Sequence, residues 1–136
     1  MPKTGDELII TFKSQAPLAW GTHRRTNSRT RRTGERYIPI PRKEAMRLHL
    51  CNKNNGTGLG LNIYNATSDD GLFSGQLKTA GNSKKGDIFA KQFEGNGDLQ
   101  ALTPWLQEHH AQIGDSIRFY WNSPTDITMS FIPSHE

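Results

Sequence analysis

At 136 residues, with 33% hydrophobic content, 13 glycines and 7 prolines, the chain is one domain's worth of sequence with a small core and many turns. Its single cysteine, Cys51, excludes an internal disulfide and any multi-cysteine zinc site, and the lack of a signal-like or membrane-length apolar run makes a soluble, cytoplasmic protein the expectation. The net charge of +4 is uneven: residues 24–47 hold nine cations against Glu35 and Glu44, a local +7 that leaves −3 for the remainder, so the basic charge belongs to one surface.

In chain order, residues 8–13 alternate and are β-branched at their start, which predicts a first strand. Residues 17–36 form a long irregular connection of a length that tends to be functional or disordered. Residues 37–41, Tyr-Ile-Pro-Ile-Pro, predict a short strand that its prolines confine to an edge or a strand end. Pro41 opens a short helix over 42–50, with Ala45, Met46, Leu48 and Leu50 on one face. Residues 52–58 are a turn cluster, 59–64 alternate as a strand, 69–71 turn, and 72–79 form the next strand. A polar, basic hairpin tip follows at 80–87, and residues 88–93 lead back. Gly95 and Gly97 turn the chain into a helix over 99–109, with Leu102, Trp105 and Leu106 on one face. Gly114 and Asp115 turn into a strand at 116–121, residues 122–126 turn again, and 127–132 close the sheet. Seven strands and two short helices, with no internal repeat and no βαβ alternation, predict a mainly β domain built as a small barrel or open pseudobarrel.

The densest chemical signal is the run from Arg24 to Arg36. Six arginines and no lysine (Arg24, Arg25, Arg29, Arg31, Arg32, Arg36) fall in 13 residues, spaced by Thr, Asn, Ser and Gly. Arginine's planar fork suits bidentate contact with phosphate and with the O6/N7 edge of guanine. The small polar spacers bury nothing and resist helix formation, so the segment reads as a polar arm. A charge run of this kind is often only solvated, or serves as a localisation signal. This one is internal and flanked by strands, and Lys78, Asn82, Ser83, Lys84 and Lys85 put a second basic element on the 80–87 hairpin. Two pinned basic arms on one sheet point to a nucleic-acid groove.

No catalytic or metal motif competes with that reading. His109 and His110, with Asn122 and His135, could be forced into a metal-nuclease pattern. Adjacent helical histidines, however, point about 100° apart and cannot share a ligand face, while the dipole favours cations at a helix end. Cys51 beside His49 reads as a half-buried small residue. Gly56, Gly58 and Gly60, like Gly95 and Gly97, read as turns, since neither cluster opens a helix behind a strand. Trp105 and Trp121 fall in core phase, whereas Trp20 is either an anchor or a stacking residue. The rival readings are an RNA-binding module using the same arm, a small metal-dependent nuclease using His109, His110 and His135, and an arm that docks an acidic protein.

The order of elements, with residues 36–45 (Arg-Tyr-Ile-Pro-Ile-Pro-Arg-Lys-Glu-Ala), Ala90-Lys-Gln-Phe93, residues 99–106 around Trp105, and Gly114-Asp-Ser-Ile-Arg-Phe119, resembles the B3 DNA-binding domain of plant transcription factors. It is more similar to the B3-like recognition or effector domains of bacterial type II restriction endonucleases. The resemblance spans about residues 8–132 and implies a single B3-like domain over 1–136, a seven-stranded open pseudobarrel with two short α-helices. It also implies two arms that enter the major groove of double-stranded DNA, an N-arm at about 20–36 and a C-arm at about 78–87. This N-arm is longer and richer in arginine than that of a plant domain, which favours the restriction-enzyme branch.

On that basis Arg24, Arg25, Asn27, Arg29, Arg31 and Arg32 are expected to contact bases and phosphates, with Trp20, His23 and Arg36 completing the arm. Arginine favours guanine and Asn27 favours adenine, and a short GC-rich site is expected. Lys78, Lys84 and Lys85 would seat the C-arm on the backbone, with Asn82 and Ser83 near base edges and Lys13 and Tyr37 on phosphates at the arm bases. The resemblance implies no catalytic residue, metal or cofactor in this chain. It implies a monomeric domain forming the N-terminal piece of a longer enzyme, with cleavage left to a separate catalytic domain.

Overall fold

A computed structural model describes residues 2–12, 37–81, 87–97 and 101–134, the side chain of Tyr37 excepted. These residues form a mainly β molecule of seven strands and two α-helices: β1 (Glu7–Thr11), β2 (Tyr37–Pro39), α1 (Arg42–Leu48), β3 (Ile63–Ser68), β4 (Ser74–Ala80), β5 (Gln92–Gly95), α2 (Thr103–Glu108), β6 (Ser116–Ser123) and β7 (Asp126–Ile132). The strands join in one sheet of order β1-β6-β7-β3-β4-β5-β2, antiparallel throughout except for the parallel β3–β7 pair. The two edge strands, β1 and β2, bury Leu8, Ile10 and Ile38 in the same core cluster. The sheet therefore curls round that core into an open pseudobarrel.

Alternation sets the faces. β1 buries Leu8 and Ile10 and exposes Glu7, Ile9 and Thr11, the pattern of a sheet with one face on the core and one in water. β6 buries Ile117, Phe119 and Trp121 in the same phase. Phe93 of β5 stacks on Phe119 with centroids 4.4 Å apart, and Tyr64 of β3 meets Trp121 edge-on at 5.9 Å. Trp105 of α2 is buried with them, as its phase predicted. Pro39 and Pro41 confine β2 to an edge, because proline cannot donate to a ladder on both sides.

Several sequence boundaries move. The alternation at 59–64 marks a turn, and the strand is β3, four residues later. The Gly58 carbonyl accepts the N–H groups of Leu61, Asn62 and Ile63, and Gly60 takes φ 85°, a conformation open chiefly to glycine. Leu59 is accordingly exposed. Helix α1 stops at Leu48 because His49 turns left-handed and the Leu50 N–H bonds back to the Ala45 carbonyl. Met46, expected on the core face, is exposed, while Ala45 and Leu48 are buried. The return at 88–93 contributes a single bridge, Phe89 to Cys51, before β5 begins at Gln92. Helix α2 begins at Thr103, with residues 98–100 outside the described set, and the last hairpin is tighter than expected, β6 running to Ser123. Cys51 is wholly buried instead of half-buried, and burial pushes its thiol up from the ordinary range.

Candidate nucleic-acid interface

The two expected arms hang from one sheet. The chain leaves β1 at Thr11 and re-enters the sheet at Tyr37, so the arginine-rich segment joins the two edges of the pseudobarrel. The second basic segment joins β4 to β5, which are neighbours. Lys13, Trp20, His23, Arg24, Arg25, Asn27, Arg29, Arg31, Arg32, Arg36, Asn82, Ser83, Lys84 and Lys85 lie outside the described residues. Tyr37 is described by its backbone, and Lys78 completely.

Strand β5 runs between the two arm bases. Tyr37 of β2 pairs with Glu94, and Ala80 of β4 pairs with Gln92 on the other side. Two interstrand steps and a two-residue offset put Tyr37 and Ala80 about 12 Å apart along the sheet, close to the ~12 Å width of the B-DNA major groove. The register also shows that the chain meets Tyr37 at the C-terminal end of β5 and leaves Ala80 at its N-terminal end. The surface common to both bases is thus the outward face of β4 and β5.

That face is polar. Lys78, expected as a phosphate contact, sits directly opposite Glu94, and its ammonium lies 3.6 Å from the carboxylate. Gln92 donates to the other oxygen of Glu94 at 2.7 Å. Beyond the pair, Asn96 donates to Gln76, Gln76 to Asn65, and Asn65 to Asp126, at 3.0, 3.1 and 3.3 Å. Hydrogen bonds from Ser123, Thr125 and Asn65 hold the Asp126 carboxyl below its usual range. Behind Lys78 the surface dips into a recess of about 320 Å³, lined by Asn52, Lys53, Asn62, Lys78, Gln92 and Glu94 among others.

Asp87 anchors the return of the second arm. Its carboxylate accepts from Arg42 at 2.9 Å and from the Phe89 N–H at 3.1 Å, and its carbonyl accepts from Asn52 at 3.0 Å and Asn54 at 2.9 Å. Arg42 also lies over the Phe89 ring, 5.7 Å from its centroid. This arginine, counted in the basic surface by sequence, is engaged in fixing the hairpin base to α1. Arg47 is likewise engaged, forking both oxygens of Glu44.

His109, just past the end of α2, serves another purpose. The imidazole of His109 pairs with Asp70 in the β3–β4 turn and stacks on Phe131, centroids 4.5 Å apart. Asp70 also accepts from the Trp105 indole at 2.9 Å, from the Leu72 N–H at 3.0 Å and from the Ser68 hydroxyl. Ser68 is thus bonded to the carboxylate and not to the imidazole, so the trio lacks the hydroxyl–imidazole bond of an activated nucleophile. Among the described residues no group of three or more His, Cys, Asp and Glu gathers as a cation site, and no helix is long and apolar enough to cross a membrane.

Burial opposes ionisation of Asp70, but its four hydrogen bonds outweigh it and hold the carboxyl well below its ordinary value. A carboxyl lowered on folding contributes stability that is complete above its unfolded pKa of about 3.9 and is lost as pH falls below it. Asp70→Asn is expected to lower stability at pH 7 by about 1–3 kcal/mol. It should also show a shallower loss between about pH 4 and pH 2 than the parent, measured as urea midpoints across that range. An equally steep acid limb in both proteins would show that Asp70 does not anchor α2.

Sequence reasoning missed Glu94, the Asn65–Gln76–Asn96 row and the Asp70 anchor. Asp70 was legible as part of an Asp-Asp-Gly turn, but its partners lie 35 and 39 residues away. Comparison with family models, curated proteins and solved structures finds no match for this chain.

Proposed function

We propose that the chain is a sequence-specific double-stranded DNA-binding domain that inserts two basic arms into the major groove. The observation that carries this reading is the run of six arginines between Arg24 and Arg36, on a segment strung between edge strands β1 and β2. Its support is the spacing of the arm bases on either side of β5, about one major-groove width. The resemblance to B3-like domains extends the proposal: a monomeric cytoplasmic recognition or effector domain of a restriction endonuclease, reading a short GC-rich site. Cleavage would reside in a separate catalytic domain, and this domain would use no metal or cofactor of its own.

The test is selection of duplexes from a random DNA pool by the purified chain at about 0.1–0.15 M salt, where non-specific phosphate attraction is screened. A short enriched motif is the expected result. A flat pool, with binding that vanishes as salt rises, would overturn the reading, and tight binding to structured RNA in its place would move it to an RNA module.

The Lys78–Glu94 pair makes a second expectation. Glu94 competes with phosphate for the Lys78 ammonium, so Glu94→Gln should tighten binding to any duplex roughly threefold. It should also steepen the slope of log K against log salt by about 0.9, the value of one added phosphate contact. Titrations of one cognate and one scrambled duplex at three salt concentrations would check it. An unchanged slope would mean that Lys78 stays clear of the backbone.

A further inference from the structure

Beyond the Lys78–Glu94 pair, toward the C-terminal end of β5, the outward sheet face is polar. What it carries is a hydrogen-bonded row of carboxamides on three successive strands: Asn65 on β3, Gln76 on β4 and Asn96 just past the end of β5. Asn65 pairs with Gln76 across the ladder, and the Asn96 N–H donates to the Gln76 carbonyl at 3.0 Å. The row begins two residues along β5 from Glu94, the partner of Tyr37, so it starts beside the point where the arginine-rich segment rejoins the sheet.

We propose that Asn65, Gln76 and Asn96 form a second base-reading element, on the sheet face beside the base of the arginine-bearing arm, that selects adenine-containing steps. The inference rests on the duplex-DNA reading and deepens it, adding a fixed adenine-reading element to arms dominated by arginine. A carboxamide has two N–H groups and an oxygen with two lone pairs. In the row, Asn65 and Gln76 each use one donor and one lone pair, and Asn96 uses one donor. Each side chain keeps at least one donor and one acceptor, the combination with which Asn and Gln take the N6 and N7 of adenine.

The dimensions fit. Three side chains on three strands about 4.8 Å apart span about 10 Å, roughly three base-pair steps at ~3.4 Å each. The row is also ordered before any ligand arrives, because each side chain donates to the next, Asn96 to Gln76 and Gln76 to Asn65, and Asn65 donates to the Asp126 carboxylate, itself held by Ser123 and Thr125. Side chains fixed in this way lose less freedom on binding than free ones do.

The experiment uses the whole chain and repeats the duplex selection with Gln76→Glu and with Asn96→Asp. Each substitution keeps the shape of the side chain and makes it an acceptor only, which suits the N4 amine of cytosine. The expected result is a motif unchanged where the arms read guanine but switched from adenine to cytosine at one or two positions, by roughly tenfold in relative affinity. If both variants melt at a lower temperature yet select the parental motif, the row is a fastening between strands and the inference falls while the DNA reading stands. If the parent chain selects no motif, the DNA reading fails and the carboxamide row fails with it.

Discussion

Replacing Arg29 and Arg31 together with alanine is expected to erase discrimination between the selected duplex and a scrambled one. A bidentate arginine–guanine contact contributes about 1–3 kcal/mol of discrimination against the wrong base. Losing two therefore reduces the affinity ratio by at least about 30-fold, since 1.4 kcal/mol is a factor of ten. The salt dependence should fall much less, because the four other arginines of the segment remain to neutralise phosphates. Lys84→Ala provides the contrast. A lysine on the backbone carries no sequence information, so its loss should weaken cognate and scrambled duplexes evenly, by a few-fold. Fluorescence anisotropy titrations of both duplexes with the three proteins decide the matter. If the double arginine variant also weakens both duplexes evenly, the segment is an electrostatic strap and reads no bases.

The largest effect on stability is expected from Phe93→Ala. Phe93 is fully buried, stacked 4.4 Å from Phe119 and 6.5 Å from the Trp121 ring. Removing a ring from such a site costs about 3–5 kcal/mol, the sum of lost burial and the cavity left behind. For a domain of this size that lowers the melting temperature by roughly 10–20 °C. The substitution bears on the interface as well, because Gln92 and Glu94, which face the bases of both arms, are the sequence neighbours of Phe93 on β5. On the proposed DNA-binding reading, loosening that strand should weaken duplex binding with no contact removed. Met46→Ala, on the exposed side of α1, is the control and should stay within about 0.5 kcal/mol. Urea unfolding of the three proteins measures both, and a cost below about 1 kcal/mol for Phe93→Ala would mean that the ring is not a core element.

The architecture was legible wherever a local pattern had one structural meaning. Alternation at Leu8 and Ile10 and again at Ile117, Phe119 and Trp121 gave strands with the correct inward faces, and the prolines of β2 gave an edge strand. It misled at 59–64, where leucines spaced by glycine and asparagine imitate a strand, although Gly58 and Gly60 close a turn. The candidate site was legible as charge and only half legible as geometry. The arginine run is visible in any reading of the chain. That Lys78 faces Glu94 depends on the pairing register of β4 and β5, which no local spacing encodes. The carboxamide row depends on the same register carried across three strands. Asp70 was hidden for a related reason: a turn residue needs no distant partner, yet this one holds α2 through Trp105 and His109.

The two connections differ in what they can tolerate. The segment from residue 12 to 36 closes the gap between opposite edges of the sheet, while the β4–β5 connection joins adjacent strands and is clamped at Asp87. The entropy of closing a connection grows slowly with its length, and doubling that length costs only about 0.6 kcal/mol. The arginine-bearing connection can therefore gain, lose or exchange residues at little expense to folding, provided the barrel residues that anchor its ends are kept. On the proposed DNA-binding reading, new target preferences would be most readily acquired there by insertion and substitution. The shorter hairpin and the sheet face beside it change more slowly, one side chain at a time.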